Sequence, residues 1–195
     1  MSGYGFLFSI FVLVLASAFF SAAEISLTAA KRTKLHVLME KGNPQAIKVL
    51  ALKGQPGNFF TVVQIGVNAV AVLGGVLGES FLTGYLFAWL SPLTDQALAL
   101  RLAGIGSFLF ITIAFIQFAD LIPKRLAMVN PERVAMGIID PMLLCLKVLR
   151  PLVYLFNGVA NLFLRLFKLP THAIENITSE DVAAMVGAGA QAGVV

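Results

Sequence analysis

Three stretches of the chain stay apolar far longer than a soluble helix does. Residues 4–20, "YGFLFSIFVLVLASAFF", carry no charge, residues 58–90 carry only Glu79, and residues 97–121 carry only Arg101 and Asp120. About 20 apolar residues suffice to cross a bilayer as a helix. The first run predicts a span from Tyr4 to Ala23 that continues as a polar helix towards Leu35. It lacks a basic leading segment and runs into a polar helical pattern rather than a cleavage site. It therefore reads as a retained span, with a signal peptide as the alternative. The second run, Asn58 to Leu90, would measure roughly 50 Å as one straight helix, against a hydrocarbon core of about 30 Å. Gly66, Gly74, Gly75 and Gly78 are expected to bend it or to admit a neighbouring helix closely. The third span is expected from Ala97 to Leu121, with Pro123 disrupting the helix and Lys124–Arg125 marking the boundary.

Between the first two spans lies "KLHVLMEKGNPQAIKVLALKGQPG", where Asn43–Pro44 predicts two short helices at the membrane interface. After the third span, Glu132 to Leu169 is again apolar, but Asp140–Pro141 and Arg150–Pro151 interrupt it. Helices lying along the cytoplasmic side of the membrane are expected here, and a fourth span from Val148 to Leu166 is the rival. In the more polar tail, Thr178 or Ser179 can cap a short helix from Glu180. The pattern predicts an all-α integral membrane protein. Three transmembrane helices and juxtamembrane helices occupy residues 1–169, and a cytoplasmic linker begins over residues 170–195.

Composition supports this class. Of 195 residues, 58% are hydrophobic and 12% charged, whereas a soluble domain carries about 25% charged residues. Cys145 is the single cysteine, so no internal disulfide or thiolate metal cluster can form. His36 and His172 are far apart, and neither opens a metal-binding motif. Lys31, Arg32, Lys34, Lys41, Lys48 and Lys53 fall between the first and second spans, and Lys124, Arg125 and Arg133 follow the third. The loop around Ser91 to Gln96 carries only Asp95. The positive-inside rule then places the N-terminus outside and the basic segments and C-terminus in the cytoplasm. Membrane topology accounts for the basic charge, so a nucleic-acid partner is not called for.

Each span carries a polar stripe. Ser17, Ser21, Glu24 and Thr28 fall within about 60° of one helix face. Gln64, Asn68 and Glu79 cluster on one side of the second span, with Gly75 beside them. Gln117, Asp120 and Lys124 do so on the third. Each stripe has a local explanation. Serine and threonine can bond back to their own helix, Asn68 can join two helices, Glu24 can sit among headgroups beside Lys31, and Asp120 can pair with Lys124 one turn on. Their joint occurrence on three spans instead marks a pathway or site, because ionisable groups in hydrocarbon are expensive unless paired or hydrated. Hydroxyl, amide, carboxylate and freed backbone oxygens are hard ligands that suit magnesium, calcium or sodium.

Three segments in series, "SAFFSAAEISLTAAKRTKL", "VVQIGVNAVAVLGGVLGE" and "FADLIPKRLAMVNPERVA", resemble the transmembrane domain of the CorC/CNNM (cyclin M) magnesium transporters. "ENITSEDVAAMVGAGAQAGVV" is similar to that family's linker towards a cytoplasmic CBS-domain pair. The resemblance implies a homodimer in the plasma membrane, embedded in lipid, that exports Mg2+ in exchange for Na+. Both ions are then transported species rather than cofactors. It implies magnesium ligation by serine hydroxyls, an asparagine and backbone oxygens. On this chain those map to Ser21, Asn68 and the carbonyl near Gly66, with Ser17 and Gly75 as second choices. Glu24 and Asp120 supply negative field or a direct ligand, and Pro123 and Lys124 match the family's gating or structural motif. Asp120 stands where the family more often has glutamate, and Ala71 where many relatives have asparagine or glycine. Rival readings are a passive magnesium channel, an anchor for cytoplasmic regulatory domains, and an intramembrane hydrolase. For the hydrolase, no signature such as His-Glu-x-x-His or Gly-x-Ser-x-Gly is present, so the chain is not expected to be an enzyme.

Overall fold

The computed structural model describes residues 3–54 and 56–167, and every regular element among them is helical. In chain order these are α1 (Gly3–Ala29), α2 (Arg32–Glu40), α3 (Pro44–Gly54), α4 (Gly57–Leu90) and α5 (Gln96–Ala114). A π-helical segment (Phe115–Leu121) follows, then α6 (Ile122–Val129), α7 (Pro131–Val148) and α8 (Arg150–Leu166). Among the described residues three rods are long and apolar enough to cross a membrane: Tyr4–Ala29, Gly57–Leu90 and the continuous run Gln96–Val129. The chain divides into two compact units, Met1–Val153 and Tyr154–Val195.

Within the first unit α1 is central, packing against α4, the π segment, α6 and α7. The best-buried core lies at one end of the three rods. There Leu27 of α1, Leu35 of α2, Val49 of α3, Phe59 and Val62 of α4, and Ile139 and Met142 of α7 are all buried. The same end explains why α1 stops at Ala29 instead of running on towards Leu35. The Lys53 ammonium donates to the carbonyls of Leu27 and, at 3.3 Å, Thr28, acceptors that the end of a helix leaves without partners. Glu132, 4% exposed, accepts the Lys31 N–H at 3.2 Å and the Lys34 ammonium at 2.8 Å. Its carboxylate thus sits at the start of α2, where the helix dipole favours an anion. The Lys34 hydrogen bond holds the Glu132 carboxyl below its usual range, against the opposing effect of burial.

A further expectation from the sequence needs correction. Asp140–Pro141 does not interrupt α7. Ile139 and Met142 on either side of it are buried, and Asp140 is held by Lys48 at 2.7 Å and Gln45 at 2.9 Å. These contacts tie the stretch to α3, and the buried residues on either side keep it packed in helical form despite the proline. Of the two roles expected of the α4 glycines, bending or close approach, the structure shows the second at three of the four, within one helix of 34 residues. A Cβ at Gly66 would meet Phe20, at Gly74 Phe115, and at Gly78 Ile111, whereas at Gly75 it would meet nothing within 4 Å.

The Asn43–Pro44 division is present as the junction of α2 and α3, and Arg150–Pro151 opens a new helix, as expected. The rival fourth span corresponds to α8, whose 17 residues are amphipathic. Leu155, Val159, Leu162 and Leu166 repeat along one side, and Asn157, Asn161 and Arg165 along another. That pattern suits a helix lying on a membrane better than one crossing it. The expected cap at Thr178 or Ser179 and the linker over 170–195 lie outside the described residues.

Candidate functional site

The side chains that carry chemistry meet where α1 faces the π segment. Along α1, Phe20, Ala23 and Leu27 are buried, and this packing carries Ser17 (2% exposed) and Ser21 (0%) inward with them. On the opposing rod the helix widens. Within Phe115–Leu121 the N–H groups reach back five residues, and the segment closes with Ile122 donating to the Gln117 carbonyl. The cause lies next in sequence. Pro123 has no N–H to donate, and its ring would press on the carbonyl four residues earlier in a regular α-turn. A π-helical turn adds a residue and relieves that crowding, and such turns concentrate at functional sites.

Asp120 sits in this widened turn and faces α1. The Ser21 hydroxyl donates to Asp120 Oδ1 at 2.7 Å. The Lys124 ammonium lies 2.8 Å from the same oxygen and 3.2 Å from Glu24 Oε2. Four side chains from two rods therefore form one connected cluster, in which a single ammonium bridges two carboxyl groups. The cluster is not sealed, since about a third of the Glu24 and Asp120 side chains remains accessible (33% each). One acidic group exceeds the available ammonium, so the site favours a further cation.

A cavity of about 260 Å³ adjoins the cluster. Asp120 and Ser17 line it together with Thr112, Gly75, Ala71 and Phe115. Most of the remaining wall is aliphatic, supplied by Val67, Ile111, Ile116 and Ala119. At about 30 Å³ per water, it has room for a hydrated ion or a short flexible chain. The chamber is thus an apolar slot with an acidic end.

The structure brings together Ser17, Ser21, Glu24, Asp120 and Lys124, and sets Gly75 in the cavity wall. Pro123 lies directly after the π segment, where it shapes the turn that holds Asp120. Two residues proposed as magnesium ligands sit elsewhere. Asn68 is exposed on α4 and does not line the cavity. Gly66 is buried against the Phe20 ring within an unbroken helix, whose carbonyls are taken by the helix's own hydrogen bonds. Gln64 and Gln117 are exposed, Glu79 accepts from Thr83 at 3.4 Å, and Thr28 bonds back to the Glu24 carbonyl at 2.6 Å. Among the described residues no three His, Cys, Asp or Glu side chains group as a metal centre. Sequence reasoning missed Thr112 and the aliphatic wall. An isolated threonine inside the run "FLFITIAF" was the available signal for the former, and nothing in the pattern signalled the latter.

The chain can be set beside known proteins on this geometry. It is 50% identical over 189 residues to the "Polyamine export protein" of Salmonella typhimurium (strain 14028s / SGSC 2262), a match covering 97% of this chain and 42% of that protein. It is 49% identical over 186 residues to the protein of that name in Escherichia coli (strain K12), covering 95% and 42%. With the Haemophilus influenzae protein of the same name it shares 44% identity over 187 residues, covering 96% and 43%. The chain thus spans about two fifths of the length of these relatives. The family model for the cyclin M transmembrane N-terminal domain matches residues 8–195, and the chain belongs to that family.

Proposed function

We propose that this chain is the membrane-embedded part of an exporter of organic polycations of the polyamine class. The observation that carries the reading is the Lys124 ammonium held between Asp120 at 2.8 Å and Glu24 at 3.2 Å beside an aliphatic cavity. A polyamine is a chain of methylenes between ammonium groups. Its ends match what the two carboxyl groups already hold, and its methylenes match Val67, Ile111 and Ile116. In this mechanism Lys124 is a tethered stand-in for the cargo. An incoming ammonium takes its place on Asp120, Ser21 steadies that carboxylate through its hydroxyl, and Lys124 returns as the cargo leaves on the other side. The carboxylates are therefore never left bare in a low-dielectric setting, where an unpaired charge is costly. The relatives' name, polyamine export protein, supports the same cargo class.

Magnesium export coupled to sodium is the second reading, favoured by the hard oxygens of Ser17, Ser21, Glu24 and Asp120 and by the family itself. Neither reading assigns an enzymatic step. In both, the chain acts as a plasma-membrane homodimer with the N-terminus outside and the C-terminus in the cytoplasm, working with a cytoplasmic CBS-domain pair.

The test is uptake of labelled spermidine and of Mg2+ into everted vesicles containing the full-length protein. Spermidine uptake is expected, falling at least about tenfold in Asp120→Asn. Lys124→Met is expected to bind spermidine more tightly but turn over more slowly, because the returning competitor is gone. Mg2+ uptake without spermidine uptake would overturn the polyamine assignment in favour of the second reading.

A further inference from the structure

A second cavity, of about 230 Å³, lies away from the Asp120 cluster and has a different chemistry. It is lined by Leu27, Thr28, Arg32, Lys53, Pro56 and Phe60. Topology fixes its depth. The span of α1 ends at Ala29 and that of α4 begins at Gly57, and the α2–α3 pair connects them on one side of the membrane. The pocket therefore opens at a membrane–water boundary, with residues from both spans in its wall.

Its two charged side chains have the same sign, and none of its lining residues is acidic. The Arg32 guanidinium donates to the Lys53 carbonyl at 3.0 Å, which tethers it beside the Lys53 side chain. A guanidinium has five N–H groups, so most of its donors remain unused by this bond. Glu132 is already engaged by Lys34 and by the Lys31 N–H. Burial, and next the nearby Arg32 charge, push the Lys53 ammonium below its usual range, with Glu132 opposing weakly. Two cations held together on a partly apolar floor would be stabilised by a bound anion. Guanidinium forks suit phosphate oxygens geometrically. Exposed Phe60 and buried Leu27 offer an apolar wall beside the cations, a feature that a freely soluble anion would not use.

We propose that this pocket binds the phosphate group of an anionic phospholipid, with Arg32 and Lys53 on the phosphate and Phe60 against the upper acyl chain. Such a lipid would join the end of α1 to the start of α4.

The test is native mass spectrometry of the full-length protein released from nanodiscs containing phosphatidylglycerol and phosphatidylcholine in equal amounts. Preferential retention of phosphatidylglycerol is expected. Arg32→Gln should reduce that retention at least about fivefold, and Lys41→Gln, an exposed lysine outside the pocket, should not. Lys53→Gln should reduce it too. Because Lys53 also caps α1, Arg32→Gln is the deciding variant, and its fold is checked by its elution as wild type. Retention unchanged in Arg32→Gln, or equal retention of both lipids, overturns the site. A competition arm adds soluble glycerol phosphate. Displacement of the lipid at submillimolar concentration would overturn the lipid assignment in favour of a soluble phosphate ester, and persistence of the lipid supports the proposal.

Discussion

Substituting alanine at Gly74 or at Gly75 adds the same methyl group to neighbouring positions of α4, yet the structure predicts opposite outcomes. A Cβ at position 74 would lie 2.0 Å from Phe115 Cζ, 2.3 Å from Cε1 and 2.9 Å from Cε2. Ordinary contact begins at 3.4 Å, so the ring must retreat by about 1.4 Å. Overpacking a filled site typically costs about 1–3 kcal/mol. Phe115 also lines the 260 Å³ cavity, which gives the ring somewhere to go, so the expected packing loss sits below the top of that range, at about 2 kcal/mol, and exceeds the up to about 1 kcal/mol that alanine gains in helix propensity. At Gly75 nothing lies within 4 Å of the added Cβ, and alanine gains up to about 1 kcal/mol in helix propensity. Thermal unfolding of the detergent-solubilised protein should therefore rank Gly75→Ala at or above wild type and Gly74→Ala below both. If the 260 Å³ cavity holds the cargo as proposed, transport should be affected more than stability in Gly74→Ala, because the displaced ring moves within that cavity. Adding Phe115→Leu should recover part of both, giving a non-additive double-mutant cycle. Equal stability of the two alanine variants, or strict additivity with Phe115→Leu, would refute the claim that Gly74 exists to admit the Phe115 ring.

Glu132→Gln is expected to destabilise by about 1.5–3 kcal/mol, the worth of hydrogen bonds to a charged group, measured by thermal unfolding at pH 7. Because the Lys34 hydrogen bond holds the Glu132 carboxyl below the usual carboxylate range, its contribution is present above that range and fades as pH falls through the lower folded value. Wild type should lose stability on acidification below about 4.5 by more than the glutamine variant does. Leu35→Ala, at a fully buried site, should cost about 2–5 kcal/mol without altering cargo preference, read from unfolding and vesicle competition together. Lys53→Met should cost about 0.3–1 kcal/mol through loss of the α1 cap, with hydrogen exchange rising first at the amides following Thr28.

Much of this fold is local and was readable along the chain. Apolar runs over 4–20, 58–90 and 97–121 mark three rods because hydrocarbon leaves few alternatives to a helix of that length. Asn43–Pro44 divides α2 from α3 because the residue before proline disfavours helical geometry. Half of the site was equally visible: Ser17, Ser21, Glu24, Asp120 and Lys124 repeat at helical spacing. Asn68 shows where that reasoning fails. Its polarity marks a face of α4, but only the rotation of α4 about its own axis decides whether that face meets the cavity, and it does not.

Sequence alone therefore determined the number of membrane rods, most of their breaks and the polar stripe on each. These follow from interactions within a few residues of one another and from the absence of water in the bilayer. The tertiary structure decided which stripes converge. The Ser21–Asp120 hydrogen bond joins residues 99 positions apart, and Asp120 makes it from within the π-helical turn before Pro123. It also decided that the glycines of α4 admit Phe20, Phe115 and Ile111 rather than bend the helix, since a glycine's purpose is set by the side chain that fills the space it leaves.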